Sequence, residues 1–275
     1  MKRILVPTDF SQHAEYALKV AAQFARKHNA EIYLIHLLEL PGQGNDTVTH
    51  GHDIPEIVFF KNAITNRMDD LMDEEYLDGI ETSKIIQIDQ PFEGIMKTIQ
   101  NNTFDLIIMG SHGANGIKEM FVGSNTEKIV RNSSIPVLVI KEDDPNFKVN
   151  HFIFASDFLD EIKKPFECIV RLTNEFDATL HLVNINTPNN FRSTQDARKL
   201  MNDFVSGFKI DKYETHIYND VNVEAGILNI ANDLNADLIG MCTHGRKGLA
   251  HFFNGSISKS LVNHAKKPVI TFKIQ

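Results

Sequence analysis

Short apolar runs alternate with amphipathic segments along the chain. In the N-terminal half the apolar runs predict strands at 4–6, 32–38, 84–88, 106–109 and 137–140. Between them, apolar residues recur at helical spacing, and Ser11 stands where it would cap the first helix. Continuous apolar strands separated by helices predict an α/β fold, with a parallel sheet covered on both faces. Ligands of such sheets bind at the carboxyl ends of the strands.

The same pattern occurs twice. Residues 106–140 and 238–272 align without a gap, and each contains a strand, His-Gly, nine residues, Gly-Ser, a helix and a second strand. The openings at 4–11 and 153–160 also match. A polar stretch at 141–150 separates the halves, so we predict tandem domains at 1–142 (the first copy) and 150–275 (the second copy). Residues 41–80 are interpreted as an insertion or extended connection with a helical pattern to about Leu77.

Composition narrows the function. The 275 residues are 42% hydrophobic and carry a net charge of -8, without the basic stripes of a nucleic-acid binder. No apolar stretch approaches the length of a membrane span and no leader pattern is seen, so we expect a soluble, cytoplasmic protein that does not contact membranes. Cys168 and Cys242 have neither metal-binding spacing nor a disulfide framework.

A glycine motif carries the sharpest chemical signal. Gly110-x2-Gly113-x9-Gly123-Ser124 follows a strand and ends at a helix. Glycine lets backbone approach a ligand, and free N–H groups at a helix N-terminus attract phosphate without lysine. The alternative is that these glycines only make turns and caps, since Ser124-x-x-Glu127 also fits a capping box. The motif is neither a Walker A loop nor a dinucleotide fingerprint.

These residues resemble the universal stress protein family: VPTDFS near the start, a strand ending in His36-Leu37, and MGSHG followed by nine residues and GSN. The resemblance covers nearly the whole chain. It implies two tandem Rossmann-like domains of the adenine-nucleotide α-hydrolase type, each with a five-stranded parallel sheet. It also implies binding of ATP, with Mg²⁺ or Mn²⁺ on the phosphate oxygens.

The resemblance assigns roles within the first copy. The implied binding residues are Pro7, Thr8 and Asp9 over the nucleoside, Leu37 at adenine, Met109 and Gly110 at the ribose, and Gly113, Gly123, Ser124 and Asn125 at the phosphates. His112 lies within the motif and is included among the candidate binding residues, although a turn or loop role is its favoured interpretation.

The second copy departs from this pattern. It keeps some counterparts of the binding residues, namely Asp157, Ile185, Gly245, Gly255 and Ser256. Cys242 replaces Gly110, and we expect its thiol to enter the space that a ribose needs. Ile257 replaces Asn125, and Lys259 replaces Glu127. The second copy is therefore expected to bind nucleotide weakly, to bind another ligand, or to act as a packing partner.

The resemblance also implies that the two closing strands, PVLVIK and PVITFK, pair across a pseudo-two-fold axis, here within one chain, and a further homodimer stays open. The favoured function is an ATP-binding stress protein that senses or sequesters nucleotide and regulates an unidentified protein partner. The alternatives are a slow ATPase or phosphoryl-transfer enzyme, with only His112 and Asp9 as candidate catalytic groups, and a scaffold for a non-nucleotide ligand. His50, His52 and Asp53 could hold a metal, although a polar loop is the favoured interpretation.

Overall fold

The computed structural model describes residues 1–39, 54–112, 123–244 and 255–274. The elements of the first copy are β1 (Arg3–Pro7), α1 (Gln12–His28), β2 (Glu31–Leu38), α2 (Ile54–Met72), β3 (Thr82–Ile88), α3 (Pro91–Asn101), β4 (Leu106–Gly110), α4 (Ser124–Asn132) and β5 (Val137–Ile140). Those of the second are β6 (His151–Ala155), α5 (Lys163–Phe176), β7 (Thr179–Asn186), α6 (Thr194–Val205), β8 (Tyr213–Asn219), α7 (Val223–Asp233), β9 (Leu238–His244), α8 (Gly255–His264) and β10 (Val269–Ile274).

The strands form one ten-stranded sheet in the order β3-β2-β1-β4-β5-β10-β9-β6-β7-β8. Within each copy all paired strands are parallel. The five-stranded parallel sheets predicted for the two copies are therefore confirmed. In both copies the order reverses beside the first strand, and this reversal opens a crevice at the carboxyl ends.

Helices cover both faces of the sheet, because alternate strand residues are apolar on each face. The core on one face packs under α1, α2, α5 and α6, and the core on the other face packs under α3, α4, α7 and α8. On the first face Phe24 lies 5.3 Å from Phe176 in an edge-to-face contact, so the core runs from one copy into the other.

The closing strands of the copies pair with each other. β5 and β10 are antiparallel, with Val139 opposite Val269 and Val137 opposite Thr271. This confirms the predicted pairing within one chain, and it covers two edges that would otherwise be open. Each closing strand also reaches across the junction: Lys141 Nζ donates to Asn263 O at 3.0 Å, and Lys273 Nζ donates to Asn132 O at 3.0 Å.

Several local predictions can be compared with the structure. Ser11 Oγ accepts a hydrogen bond from Ala14 N at 3.3 Å, which confirms the predicted cap of α1. The helical pattern of the predicted insertion forms α2 and a short 3₁₀ turn at Glu75–Leu77. The His50, His52 and Asp53 loop lies outside the described residues. Among the described helices, none combines the length and the apolar character needed to cross a bilayer.

Candidate functional site

The loop after β1 is a tight turn at the carboxyl edge of the sheet. Thr8 N donates to Ile35 O at 2.9 Å, and Thr8 Oγ1 accepts from Phe10 N at 3.1 Å. Phe10 adopts a left-handed backbone with φ 62°. Asp9 is exposed, and its Oδ1 accepts from Ser11 N at 3.0 Å. The turn holds the Asp9 carboxylate at the solvent edge, one residue after Thr8 and two residues after the half-buried Pro7.

His36 braces this turn from the neighbouring strand. Its Nδ1 lies 2.9 Å from Thr8 O, and since a carbonyl only accepts, Nδ1 is the donor. The ring also lies 4.7 Å from the Phe10 ring. Burial lowers the pKa of His36, so the imidazole is neutral at pH 7. In the sequence, His36 has no role beyond its place in the family motif. Its contact with Thr8 shows that it supports the turn.

Leu37 follows at the end of β2 and packs against α3. A Cβ on Gly94 would clash with Leu37 Cδ1, so the glycine lets α3 lie close to this side chain. The second copy repeats this contact, where a Cβ on Gly226 would lie 2.7 Å from Ile185 Cγ2. The predicted adenine-side residues, Leu37 and Ile185, thus have equivalent surroundings in the two copies.

Arg67 is a candidate that the sequence motifs do not reveal. It comes from α2, and its guanidinium stacks 4.3 Å above the Phe10 ring. Its positive charge also lies close enough to His36 to help lower the pKa of that imidazole. An exposed cation therefore stands beside the turn that carries Asp9.

Gly110 and Met109, which the resemblance assigns to the ribose side, both have packing contacts within the protein. A Cβ on Gly110 would lie 2.6 Å from His13 O, so this position faces the first turn of α1. Met109 is 6% exposed and packs into the core on the opposite face. Helix packing is therefore sufficient to require a glycine at 110, and its role at a ribose stays a prediction.

Cys242, the counterpart of Gly110, also packs within the protein. Cys242 is 3% exposed, lies in the core under α5, and has a pKa raised by burial. Taking Asp157 as the counterpart of Asp9, Asp160 is the counterpart of Gln12. Yet Asp160–Ile162 is a 3₁₀ turn, and α5 begins only at Lys163. The thiol therefore occupies space at the start of a helix, and its effect on a ribose stays a prediction.

The start of α4 also differs from the prediction. Gly123 N donates to Ser111 O at 2.8 Å, so this N–H is not free for a phosphate. Gly123 is itself the N-cap, and α4 has no side-chain cap from the described residues. Ser124 is the first helical residue, and the predicted capping box with Glu127 does not form. The exposed Ser124 and the half-buried Asn125 remain in the first turn.

The rest of the motif has structural contacts or is not described. The half-buried His112 has Nδ1 2.9 Å from Ser111 Oγ, and its ring lies 5.0 Å from the His13 ring. These contacts favour the loop interpretation of His112. Thr126 Oγ1 donates to Gly110 O at 3.1 Å and ties α4 to the end of β4. Gly113 lies outside the described residues.

The second copy rebuilds the first loop with different residues. Ser156 N donates to Val183 O at 3.0 Å, Ser156 Oγ accepts from Phe158 N at 3.1 Å, and Phe158 has φ 57°. Asn184 takes the place of His36, and its Nδ2 donates to Ser156 O at 3.3 Å. The turn is therefore retained although Ala155 and Ser156 replace Pro7 and Thr8.

A cleft lies beside this second turn. It is small and partly open to solvent, and its lining residues are Ala155, Ser156, Asp157, Asn184, Ile185, Asn190 and Val223. Burial raises the pKa of the Asp157 carboxyl. Gly255 and Ser256 begin α8, as the repeat predicts, whereas Gly245 lies outside the described residues.

The fold defines the class of this protein. It is a tandem α/β protein with a crevice at the carboxyl edge of each copy, where ligands of such folds bind. A model of the universal stress protein family matches residues 1–141 and again residues 148–273. The chain therefore belongs to the universal stress protein family, as the resemblance of its motifs predicted.

Individual relatives agree with this assignment. Universal stress protein MJ0577 of Methanocaldococcus jannaschii is 33% identical over 159 residues, which cover 51% of this chain and 94% of that protein. Universal stress protein MJ0531 of the same organism is 29% identical over 147 residues, covering 51% and 82%. A crystal structure of a universal stress protein from Archaeoglobus fulgidus matches with a TM-score of 0.77 at 21% identity, covering 99% of this chain and 98% of that chain. This last likeness shows the fold over both copies.

Proposed function

We propose that the first copy binds ATP at the edge formed by β1, β2 and β4, and that the bound nucleotide alters contacts with a partner protein in a stress response. The observation that carries the proposal is the start of α4, where no side chain of the described residues caps the helix. The first-turn amides of such a helix attract an anion such as a phosphate.

The charges of the site support this proposal. The chain has a net charge of -8, so its overall charge does not attract a polyphosphate. Binding therefore depends on hydrogen-bond donors within the site. Those donors are the backbone and side chains of Ser124 and Asn125 in α4, together with the Arg67 guanidinium beside the β1 turn. In this arrangement Asp9 accepts a hydrogen bond from the nucleoside.

A divalent cation completes the proposed complex. Mg²⁺ or Mn²⁺ neutralises the phosphate oxygens and retains several water ligands, so it needs few protein ligands of its own. The residues present fit this mode, because the exposed Asp9 carboxylate is the acidic group of the β1 turn, and Ser124 and Asn125 are neutral donors.

The proposal is tested by calorimetric titration of the nucleotide-free, full-length protein with ATP and Mg²⁺. In Asp9→Asn the amide oxygen still accepts from Ser11 N, so the turn is preserved while the charge is lost. We expect the affinity for ATP to fall roughly 10- to 100-fold. This corresponds to the loss of a hydrogen bond to a charged group, which contributes about 1.5–3 kcal/mol. Asn125→Ile, which copies the second-copy residue, is expected to weaken binding as well.

Asp157→Asn in the second copy is the matched control, and we expect it to leave the first-copy affinity unchanged. Absence of ATP binding by the wild-type protein would refute the proposal. Equal losses in Asp9→Asn and Asp157→Asn would instead assign nucleotide to both copies.

The cleft of the second copy supports a second candidate function, the binding of a small polar ligand. Its lining offers the hydroxyl of Ser156, the carboxyl of Asp157 and the amides of Asn184 and Asn190. These groups fit a neutral, hydroxyl-rich molecule better than a polyphosphate, because none of the described lining residues is a cation. Thermal-shift screening of Asn190→Ala against the wild type would identify ligands of this cleft, and an unchanged hit set would reject it.

A further inference from the structure

Three histidines form a continuous line across the second copy. They come from different strands: His151 begins β6, His181 is the third residue of β7, and His216 is the fourth residue of β8. His151 Nδ1 lies 3.0 Å from His181 Nε2, and His181 Nδ1 lies 3.0 Å from His216 Nε2. The register explains this line, since His181 is opposite both Ile153 on β6 and Glu214 on β8, and alternate residues share a face.

Glu214 adds a carboxylate to the same cluster. Its Oε2 lies 3.5 Å from His181 Nδ1 and 3.6 Å from His216 Nε2. Both distances exceed those of a good hydrogen bond, yet the oxygen is almost equally far from the two nitrogens. His181, Glu214 and His216 also form the one group of three metal-ligand side chains found among the described residues.

The spacing of these three atoms matches a transition-metal site. A triangle with edges of 3.0, 3.5 and 3.6 Å has its centre about 2.0 Å from each corner. Bonds from Zn²⁺ to histidine nitrogen and carboxylate oxygen are about 2.0–2.2 Å long. An ion at or just above the centre of this triangle would therefore reach all three ligand atoms without movement of the strands.

We propose that His181 Nδ1, His216 Nε2 and Glu214 Oε2 bind a divalent transition-metal ion, for which Zn²⁺ is the best match. The fourth position is open to water, because the side chains of His216 and Glu214 are 23% and 59% exposed. Two imidazoles and one carboxylate favour zinc over magnesium or calcium, which prefer oxygen ligands.

His151 is a positioning residue for this ion. When His181 Nδ1 binds the metal, its Nε2 carries the proton and donates to His151 Nδ1 at 3.0 Å. Such a hydrogen bond fixes the tautomer and orientation of a metal-binding histidine. Burial lowers the pKa of both His181 and His216, which keeps the imidazoles neutral and able to bind an ion.

The first copy shows that the fold does not require these residues. The counterparts of His151, His181, Glu214 and His216 are Arg3, Tyr33, Ser83 and Ile85. There the Arg3 guanidinium stacks 4.4 Å over the Tyr33 ring, and no pair of metal ligands remains. The site also lies five residues from the end of β7, about 16 Å from the crevice at the carboxyl edge. It is therefore separate from the proposed nucleotide site.

The test is equilibrium dialysis of the EDTA-treated, nucleotide-free full chain against Zn²⁺ in a non-coordinating buffer. We expect one tight site per chain that millimolar Mg²⁺ does not displace. His216→Ala and Glu214→Gln change partly exposed side chains and should remove this site. His151→Ala should weaken it by about 10- to 100-fold, as loss of an outer hydrogen bond does. Visible absorption of bound Co²⁺ gives an independent readout of four-coordinate geometry.

Two controls separate this cluster from other histidines. The double variant His50→Ala, His52→Ala removes the His-x-His pair of the sequence. The variant His264→Ala removes a histidine that contacts only one carboxylate, Glu224, within the described residues. Both should bind Zn²⁺ like the wild type. The proposal is overturned if the wild type has no tight Zn²⁺ site or if His216→Ala binds Zn²⁺ as well as the wild type. It is also overturned if the His50→Ala, His52→Ala variant loses Zn²⁺ binding. Unchanged ATP affinity in His216→Ala would keep this result independent of the proposed nucleotide site.

Discussion

At the scale of single residues, Gly110 shows how one missing Cβ decides where a helix can begin. Its backbone lies against His13 so closely that any side chain would meet the helix. In the second copy Cys242 occupies this position, and regular α-helix starts at Lys163 only after a 3₁₀ turn. The two copies thus give two solutions to the same packing problem, one with a glycine and one with a later helix start.

A substitution at this glycine should therefore cost stability. We expect Gly110→Ala to lower the free energy of unfolding by about 1–3 kcal/mol, the typical cost of overpacking, because the new methyl group would lie 2.6 Å from His13 O. Urea denaturation followed by circular dichroism would measure the change. Gly207→Ala is a suitable control, since a Cβ there meets no atom within 4 Å. Equal stability of the two variants would contradict the packing explanation.

At the scale of elements, the turn after the first strand has the same form in both copies but a different brace. His36 donates to Thr8 O in the first copy, and Asn184 donates to Ser156 O in the second. An imidazole and an amide can serve alike because each presents one N–H at a similar distance from the strand. The turn is thus specified by a backbone carbonyl that needs a donor, and not by one residue type.

Because an imidazole and an amide make equivalent contacts here, two substitutions of His36 should have different effects. His36→Ala leaves the Thr8 carbonyl without its donor and should destabilise the protein by about 1–3 kcal/mol, with weaker ATP binding because the Asp9 turn loosens. His36→Asn copies the second copy and should recover most of both losses. Thermal unfolding and ATP titration of the two variants would decide the matter, and equal defects would show that the imidazole has a role beyond bracing.

The apolar strands, their order along the chain and the internal repeat could be predicted from the sequence. Strands buried on both faces of the sheet appear as continuous apolar runs. The packing of Gly110 and Cys242 against a helix could not be predicted. A glycine that contacts a ligand and a glycine that contacts a helix are the same residue in the sequence. The line from His151 to His216 was also hidden. Its members lie at least 30 residues apart in the chain, and only the strand register brings them together. The two-residue spacing of Glu214 and His216 was the one local signal for it.

At the scale of the whole molecule, the copies are joined by β5 and β10 and by two lysines that cross the junction. Lys141 also donates to Ala265 O, so its ammonium meets the C-terminal end of α8, whereas Lys273 reaches the end of α4. Positive charge is favourable at the carboxyl end of a helix. The junction therefore combines strand pairing with a reciprocal exchange of helix-end contacts.

The junction should respond to pH through Lys141. Burial lowers the pKa of Lys141 to about 8, from an ordinary value of 10.5. Between these values the unfolded chain binds more protons than the folded one, so this group makes the free energy of unfolding rise with pH from 8 to 10.5. Compared with Lys141→Met, the wild type should gain stability between pH 7.5 and pH 10 in urea denaturation. Parallel curves would show that the Lys141 ammonium is not desolvated.

The covalent tie between the copies has a consequence for how such a molecule can evolve. In an assembly of identical subunits every mutation appears twice, so a change that harms one site harms its mate. A duplicated and fused gene escapes that constraint, because its halves mutate independently while the shared sheet keeps them together. One half can thus retain an ancestral binding edge as the other acquires a histidine-rich patch, and every molecule carries one of each.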